Sequence, residues 1–259
     1  MSRKPYSWLV VVGMISLCIG LSGCGKNVDT VAESTVPIEI GEHVMYGSYQ
    51  GEPVEWRVLD KKDGEILLLS EYGLDAQPFD TSGKSRVDWK DSTIRKWLND
   101  DFYNSAFSEK EKENIVESKS EGFEEYNTSM NLTGGGKPYA YLEREIEDKV
   151  FLLSNTELCA YFSEDPYPGC YSDPYAHKEL LCYPTAYAKQ QLETRYQTET
   201  CGWWLCNHVY EDDSVELVSA YGQGSGTSRE NIKANTKSIA VRPAMWVTWQ
   251  SDMETIEEE

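Results

Sequence analysis

The residues with the clearest potential for chemistry lie in one short segment, where Cys201, Cys206 and His208 occur together. Cysteine and histidine bind metal ions and also act as nucleophile and base. Cys201 and Cys206 are five residues apart, which is not the Cys-x2-Cys spacing of structural zinc, and no second ligand pair follows. We therefore predict no metal and no cofactor. A thiol enzyme that uses Cys206 with His208 as its base is one hypothesis.

Two adjacent tryptophans, Trp203 and Trp204, lie in the same segment. If the segment is a strand, its side chains alternate between two faces, so the two indoles point in opposite directions. We predict that one indole fills the core while its neighbour faces solvent or a ligand. Aromatic rings with nearby hydrogen-bonding groups are typical of ligand sites. The predicted ligand contacts are Trp204, Asn207, Tyr221 and Trp246.

Arg242 stands immediately before Pro243 in the last predicted strand. Proline inside a sheet is confined to edges and bulges. An arginine at such a place either pairs with a carboxylate or holds a bound anion. We favour a structural ion pair for Arg242 over a ligand clamp.

The cysteines can form a limited set of disulfides. If the chain loses its N-terminal segment and Cys24 is modified, as argued below, five thiols remain: Cys159, Cys170, Cys182, Cys201 and Cys206. An odd number leaves one unpaired. Cys201 and Cys206 fall on opposite faces of an unbroken strand, so we do not expect them to pair. A bridge between Cys170 and Cys182 would staple the loop between them, although other pairings remain open.

Charge and motif content exclude several classes of function. The chain has 44 acidic and 24 basic residues, a formal net charge of -20. This charge repels phosphate backbones, so we predict no nucleic-acid partner. The sequence contains no Gly-x-Ser-x-Gly elbow, His-Glu-x-x-His, Walker loop or EF-hand loop. The remaining partners are neutral glycans and proteins.

The N-terminus has the features of an export signal. Arg3 and Lys4 precede an apolar stretch from Trp8 to Gly20, which has the length of a signal-peptide core. It ends in Leu21-Ser22-Gly23-Cys24, which resembles the lipobox of bacterial lipoproteins. The resemblance implies removal of residues 1–23, lipidation of Cys24 and attachment to the extracytoplasmic face of the cell membrane. Residues 24–37 then form a flexible tether.

Patterning predicts one globular domain over residues 38–250 and an acidic tail over 251–259. Val54, Trp56 and Val58 alternate with polar residues, and Asp63-Gly64 predicts a hairpin turn into a buried strand. Further strands are predicted at 44–49, 150–153, 214–221 and 238–247. Helix caps are predicted at Asp91 or Ser92, Ser108 and Ser154, and a further helix is predicted to start with Pro184 in its first turn.

Several phrases resemble one bacterial family. They are Gly47-Ser48-Tyr49, Glu55-Trp56-Arg57-Val58-Leu59, Ile94-Arg95-Lys96-Trp97-Leu98-Asn99, Pro184-Thr185-Ala186-Tyr187-Ala188, Trp203-Trp204-Leu205 and Val241-Arg242-Pro243-Ala244-Met245-Trp246. In this order they resemble the family called domain of unknown function 6273, from Gly41 to Val247. The family continues its double tryptophan into Arg-Ser-Pro-Gly, whereas this chain has Cys206-Asn207-His208-Val209. A ligand site built on that arginine is therefore not implied here.

The second half is also similar to the C-type-lectin-like fold of formylglycine-generating-enzyme relatives. That resemblance implies an α+β domain of twisted antiparallel strands with short packed helices. We therefore predict a cell-surface lipoprotein whose extracytoplasmic domain binds a carbohydrate or cell-wall glycan. A structural or adhesive protein that binds protein partners is the alternative, and the thiol enzyme is the third hypothesis.

Overall fold

The structure is a computed structural model that describes residues 38–84, 87–119, 146–162, 178–193, 199–208, 215–223, 234–250, 253 and 255–256. The predicted signal peptide, Cys24 and the tether lie outside these residues. So does most of the acidic tail. No helix in the described ranges is long and apolar enough to cross a membrane.

Within the described residues, eight strands form two antiparallel sheets. Their bounds are β1 His43–Tyr49, β2 Glu52–Lys62, β3 Glu65–Ser70, β4 Ile115–Val116, β5 Trp203–His208, β6 Val215–Val218, β7 Ala244–Thr248 and β8 Thr255–Ile256. The larger sheet has the order β4-β7-β3-β2-β1-β8, and β5 forms the second sheet with β6. Short helices accompany these sheets, so the fold is α+β, as predicted.

The first three strands follow from local sequence. Asp63 and Gly64 both adopt positive φ, 52° and 85°, between the paired residues Lys62 and Glu65. This is the backbone that a two-residue hairpin turn requires, so the predicted hairpin is confirmed. Gly47 makes a close approach: a Cβ there would lie 2.6 Å from the carbonyl oxygen of Ala106. Only glycine lets β1 pass so near the helical layer.

The closing strand lies inside the sheet. β7 pairs with β3 on one side, where Trp246 is opposite Leu67, and with β4 on the other. The predicted strand over 238–247 is shorter in the structure, because residues 240–241 form only isolated bridges. The predicted strand at 150–153 is also wrong. These residues are buried, but only Phe151 pairs, with Ala244 at the start of β7.

The helices begin at predicted caps. They are α1 Thr93–Trp97, which continues through a π-helical turn Leu98–Phe102 into α2 Tyr103–Ala106, then α3 Glu109–Lys112, α4 Asn155–Phe162 and α5 Ala186–Gln191. The Ser92 hydroxyl accepts the Arg95 N–H, and Ser108 forms a complete capping box with Glu111. The Ser154 hydroxyl accepts the Glu157 N–H at 3.1 Å. α5 begins at Ala186 after the Thr185 cap, so Pro184 precedes the helix and does not lie in its first turn as predicted.

A second layer covers part of the larger sheet and positions the site. The N–H of Trp204 donates to the carbonyl of Ala240, and the N–H of Cys206 donates to that of Leu153. β5 therefore lies between other segments and has no open face. Its side chains join the same buried cluster as those of β2, β3 and β7.

Candidate functional site

Both tryptophans of β5 are fully buried. The Trp203 Nε1–H donates to the carbonyl of Leu180 at 3.1 Å, and the Trp204 Nε1–H donates to that of Gln77 at 3.0 Å. The prediction that one indole faces solvent or a ligand is therefore wrong. The reason is that β5 is covered on both faces, so alternation separates the rings without exposing either one.

Of the other three predicted ligand contacts, two are buried and one is exposed. Asn207 is buried, and its Oδ1 accepts the N–H of Asn155 at 2.7 Å, the first residue of α4. Trp246 is buried within β7. Tyr221 is 57% exposed, in the turn after β6. Of the four predicted contacts, only Tyr221 offers a large surface to a ligand.

A charged network occupies one face of the larger sheet. His43 on β1 is paired opposite Arg57 on β2, and Glu55 lies two residues before Arg57, so the three share a face. The His43 Nδ1 lies 2.6 Å from a Glu55 carboxylate oxygen. Arg57 donates two hydrogen bonds of 2.9 Å to Glu71, one from Nε and one from Nη2. This bidentate pair fixes the Glu71 carboxylate at the end of β3.

Arg242 contacts the same carboxylate from the buried side. Its Nη2 lies 3.7 Å from the Glu71 Oε2, and its Nε donates to the carbonyl of Ser70 at 2.8 Å. The fully buried guanidinium also lies 5.0 Å from the centre of the Trp203 ring. The prediction that Arg242 is a structural ion-pair partner is confirmed.

Two exposed tyrosines lie on paired segments, the first of which directly follows Glu71. Tyr72 is 38% and Tyr183 is 47% exposed. Their segments are paired, because the Gly73 N–H donates to the Tyr183 carbonyl at 3.0 Å and Gly73 bridges Pro184 in parallel register. Partial burial and the negative charges of Glu55 and Glu71 raise the pKa of Tyr72 above its ordinary value. We call Tyr72, Tyr183, Glu55 and Glu71 the tyrosine edge.

The tyrosine edge was not predicted from the sequence, although the position of its carboxylate Glu55 could have been. The alternation of β2 places Glu55 on the polar face, and the resemblance to the family included this stretch. Nothing local connects Tyr72 with Tyr183, which lies more than a hundred residues further along the chain. Only the pairing of their segments brings them side by side.

The predicted thiol chemistry finds little support in the described residues. Cys206 is buried, and its sulfur lies 3.8 Å from the Asn207 Oδ1. The thiol hypothesis with His208 stays a prediction, since the His208 side chain is outside the description. Cys182 is a free thiol, so the predicted Cys170–Cys182 bridge is not formed, and Cys170 itself lies outside the described residues. Among the residues described, no group of three or more His, Cys, Asp or Glu side chains is placed to hold a metal ion.

One buried carboxyl group was not anticipated. Glu216 lies on β6 between apolar neighbours, and its Oε2 has no hydrogen-bond partner among the described residues. Burial raises the pKa of Glu216 to about 7, against a smaller opposing effect of the Asn155 side chain. Glu216 alternates with Val215 and Leu217 along β6, and all four residues of this strand are buried.

Comparison with known proteins gives one finding. The sequence model of a family described as Domain of unknown function (DUF6273) matches residues 63–249. No curated protein and no solved structure matches the chain.

Proposed function

The chain belongs to the DUF6273 family, and from that premise we propose that it is an extracytoplasmic binding domain that holds a neutral glycan on the tyrosine edge. The supporting observation is the pair of exposed phenol rings on adjoining segments, one of which places Tyr72 near Glu55 and Glu71. A phenol ring offers a flat apolar face with a polar tip. The faces of sugar rings are lined with C–H groups, and their edges carry hydroxyls.

The carboxylates give the edge its polarity. Glu71 is held by Arg57, so its orientation is fixed before any ligand arrives. Fixed acceptors lower the cost of ordering on binding. Sugar hydroxyls donate hydrogen bonds to such acceptors without carrying charge. The net charge of -20 disfavours anionic polymers and favours a neutral ligand.

The proposal includes the location of the domain. A lipid on Cys24 and a tether over residues 24–37 would hold the domain at the outer face of the membrane, within reach of cell-wall glycan. A C-type-lectin-like arrangement of the α+β core is part of the same proposal. Globomycin should block processing of the full chain, and a processed, water-soluble chain in treated cells would contradict the tether.

The glycan proposal is tested by calorimetry with soluble glycan-strand fragments of the cell wall. We expect saturable binding, and we expect Tyr183→Ala to weaken it about tenfold, because truncating an aromatic anchor costs over about 1 kcal/mol. Ile40→Ala is the control, since it removes an exposed large side chain outside the tyrosine edge. An equal loss in both variants would place the site elsewhere. No heat from any glycan fragment, together with Tyr183-dependent retention of an envelope protein, would favour the protein-binding alternative.

A further inference from the structure

Two buried thiols meet behind the tyrosine edge. Cys182 and Cys201 are 19 positions apart in sequence, yet the Cys201 N–H donates to the Cys182 carbonyl oxygen at 2.8 Å. The Cys201 thiol also lies 3.5 Å from that carbonyl. An N–O distance of 2.8 Å keeps the two Cα atoms within about 6.7 Å of each other, which is inside the range of disulfides.

Gly73 shows that the two sulfurs converge. A Cβ placed on Gly73 would lie 3.2 Å from the Cys201 sulfur and 3.5 Å from the Cys182 sulfur. The same Cβ would lie 2.8 Å from the Cβ of Ala240. Both sulfurs thus face one point on the backbone, and the Cys201 thiol donates to the backbone of Cys182. The absence of a side chain at Gly73 leaves the room that this pair occupies.

We propose that Cys182 and Cys201 form a redox site, in which a disulfide-bearing oxidant converts the dithiol into an intramolecular disulfide. The thiolate of one cysteine of the pair attacks one sulfur of the oxidant and releases one thiolate, which leaves a mixed disulfide. The sulfur of the other cysteine then attacks the first, forms the new S–S bond and releases the second thiolate. The protein loses two electrons and two protons, and the oxidant becomes two thiols.

The surroundings give the two thiols different pKa values in the folded protein. Burial raises the pKa of Cys182, but the adjacent Cys201 thiol and the positive charge of Arg242 outweigh burial and hold it below its ordinary value. The adjacent Cys182 sulfur raises the pKa of Cys201, and burial adds to this. Cys182 is therefore the more acidic thiol of the folded pair.

Burial decides when the exchange takes place. Both residues are buried in the folded protein, so a protein-sized oxidant reaches them only while the chain between them is unpacked. We therefore expect the bond to form during folding and to resist reduction afterwards. This inference does not depend on the ligand of the tyrosine edge.

The test is refolding of the full chain from denaturant in a redox buffer of oxidised and reduced glutathione, followed by alkylation and peptide mapping by mass spectrometry. We expect a peptide pair that links Cys182 with Cys201, lighter by two hydrogen atoms than the separate peptides. Reduction should lower the Tm by about 5–10 °C, because the bond closes a loop of moderate length.

Two variants sharpen the test. Cys201→Ser should lose the linked peptides and the effect of reduction on the Tm. Cys206→Ser removes a buried thiol outside the pair and should keep both. Peptide mapping of the wild-type chain shows whether the Cys182–Cys201 bond forms, even if Cys201→Ser fails to fold. A bridge from Cys182 to Cys170 or Cys159, or full alkylation of Cys182 and Cys201 after refolding, would overturn the proposal.

Discussion

The two sides of Glu71 offer a comparison within one molecule. On the outer side Arg57, a quarter exposed, holds the carboxylate by two hydrogen bonds of 2.9 Å. On the inner side the fully buried Arg242 approaches the same carboxylate to 3.7 Å and packs on Trp203. The outer pair has the better hydrogen-bond geometry. Removal of the inner arginine should nevertheless cost more stability, because water cannot replace the lost partner of a buried group.

The largest difference in stability loss is expected between alanine substitutions of a buried and of an exposed aromatic residue. Trp204→Ala should reduce the free energy of unfolding by about 3–5 kcal/mol, since it empties a large buried volume and removes the donor to Gln77. Tyr183→Ala, on the exposed edge, should change it by less than about 0.5 kcal/mol. Urea denaturation of both variants measures this difference. Similar losses would mean that the edge is as tightly packed as the core.

The next largest difference in stability loss is expected between substitutions of the two arginines. Arg242→Ala should cost about 3 kcal/mol, because it leaves the Ser70 carbonyl without its partner and a void beside Trp203. Arg57→Ala removes a part-exposed pair and should cost about 1 kcal/mol or less. The same denaturation experiment separates them. A greater loss for Arg57 would show that hydrogen-bond geometry outweighs burial at Glu71.

A third effect depends on pH and concerns the buried carboxyl group of Glu216. The folded pKa of Glu216, about 7, lies above the value of 4.5 for an unperturbed carboxyl. The folded state therefore binds the proton more tightly, and its stability falls as the pH rises from about 4.5 to about 7. The loss is of the order of 3 kcal/mol at most.

Glu216→Gln should remove that dependence. The variant is expected to be more stable than the wild type at pH 8 and no more stable at pH 4.5, as measured by thermal unfolding at both values. Glu52→Gln, on an exposed position of β2, is the matched control and should shift neither curve. A stability curve of the wild type that stays flat across this range would contradict the buried, raised-pKa carboxyl.

Several elements could be predicted because their causes are local. The turn at Asp63-Gly64 follows from residues that tolerate positive φ. The capping box at Ser108 and Glu111 follows from side chains three positions apart. The ion-pair role of Arg242 followed from its residue type beside a proline. Each of these predictions required knowledge of only a few neighbouring residues.

The failures have a common cause. Strand alternation correctly separates Trp203 from Trp204, but it does not say how many layers cover the strand. The same is true of Glu216, whose position on β6 gives no sign that another segment lies above it. The predicted strand at 150–153 has the right burial, and only its pairing was wrong.

The sequence alone determined the local structure of this protein: its turns, its helix caps and its division into α and β elements. These depend on backbone preferences and on side chains a few residues apart. Only the tertiary structure decided that both indoles are buried, that Tyr72 meets Tyr183 and that Cys182 meets Cys201. Those contacts depend on how a second layer packs on the larger sheet, and no short stretch of chain contains both surfaces.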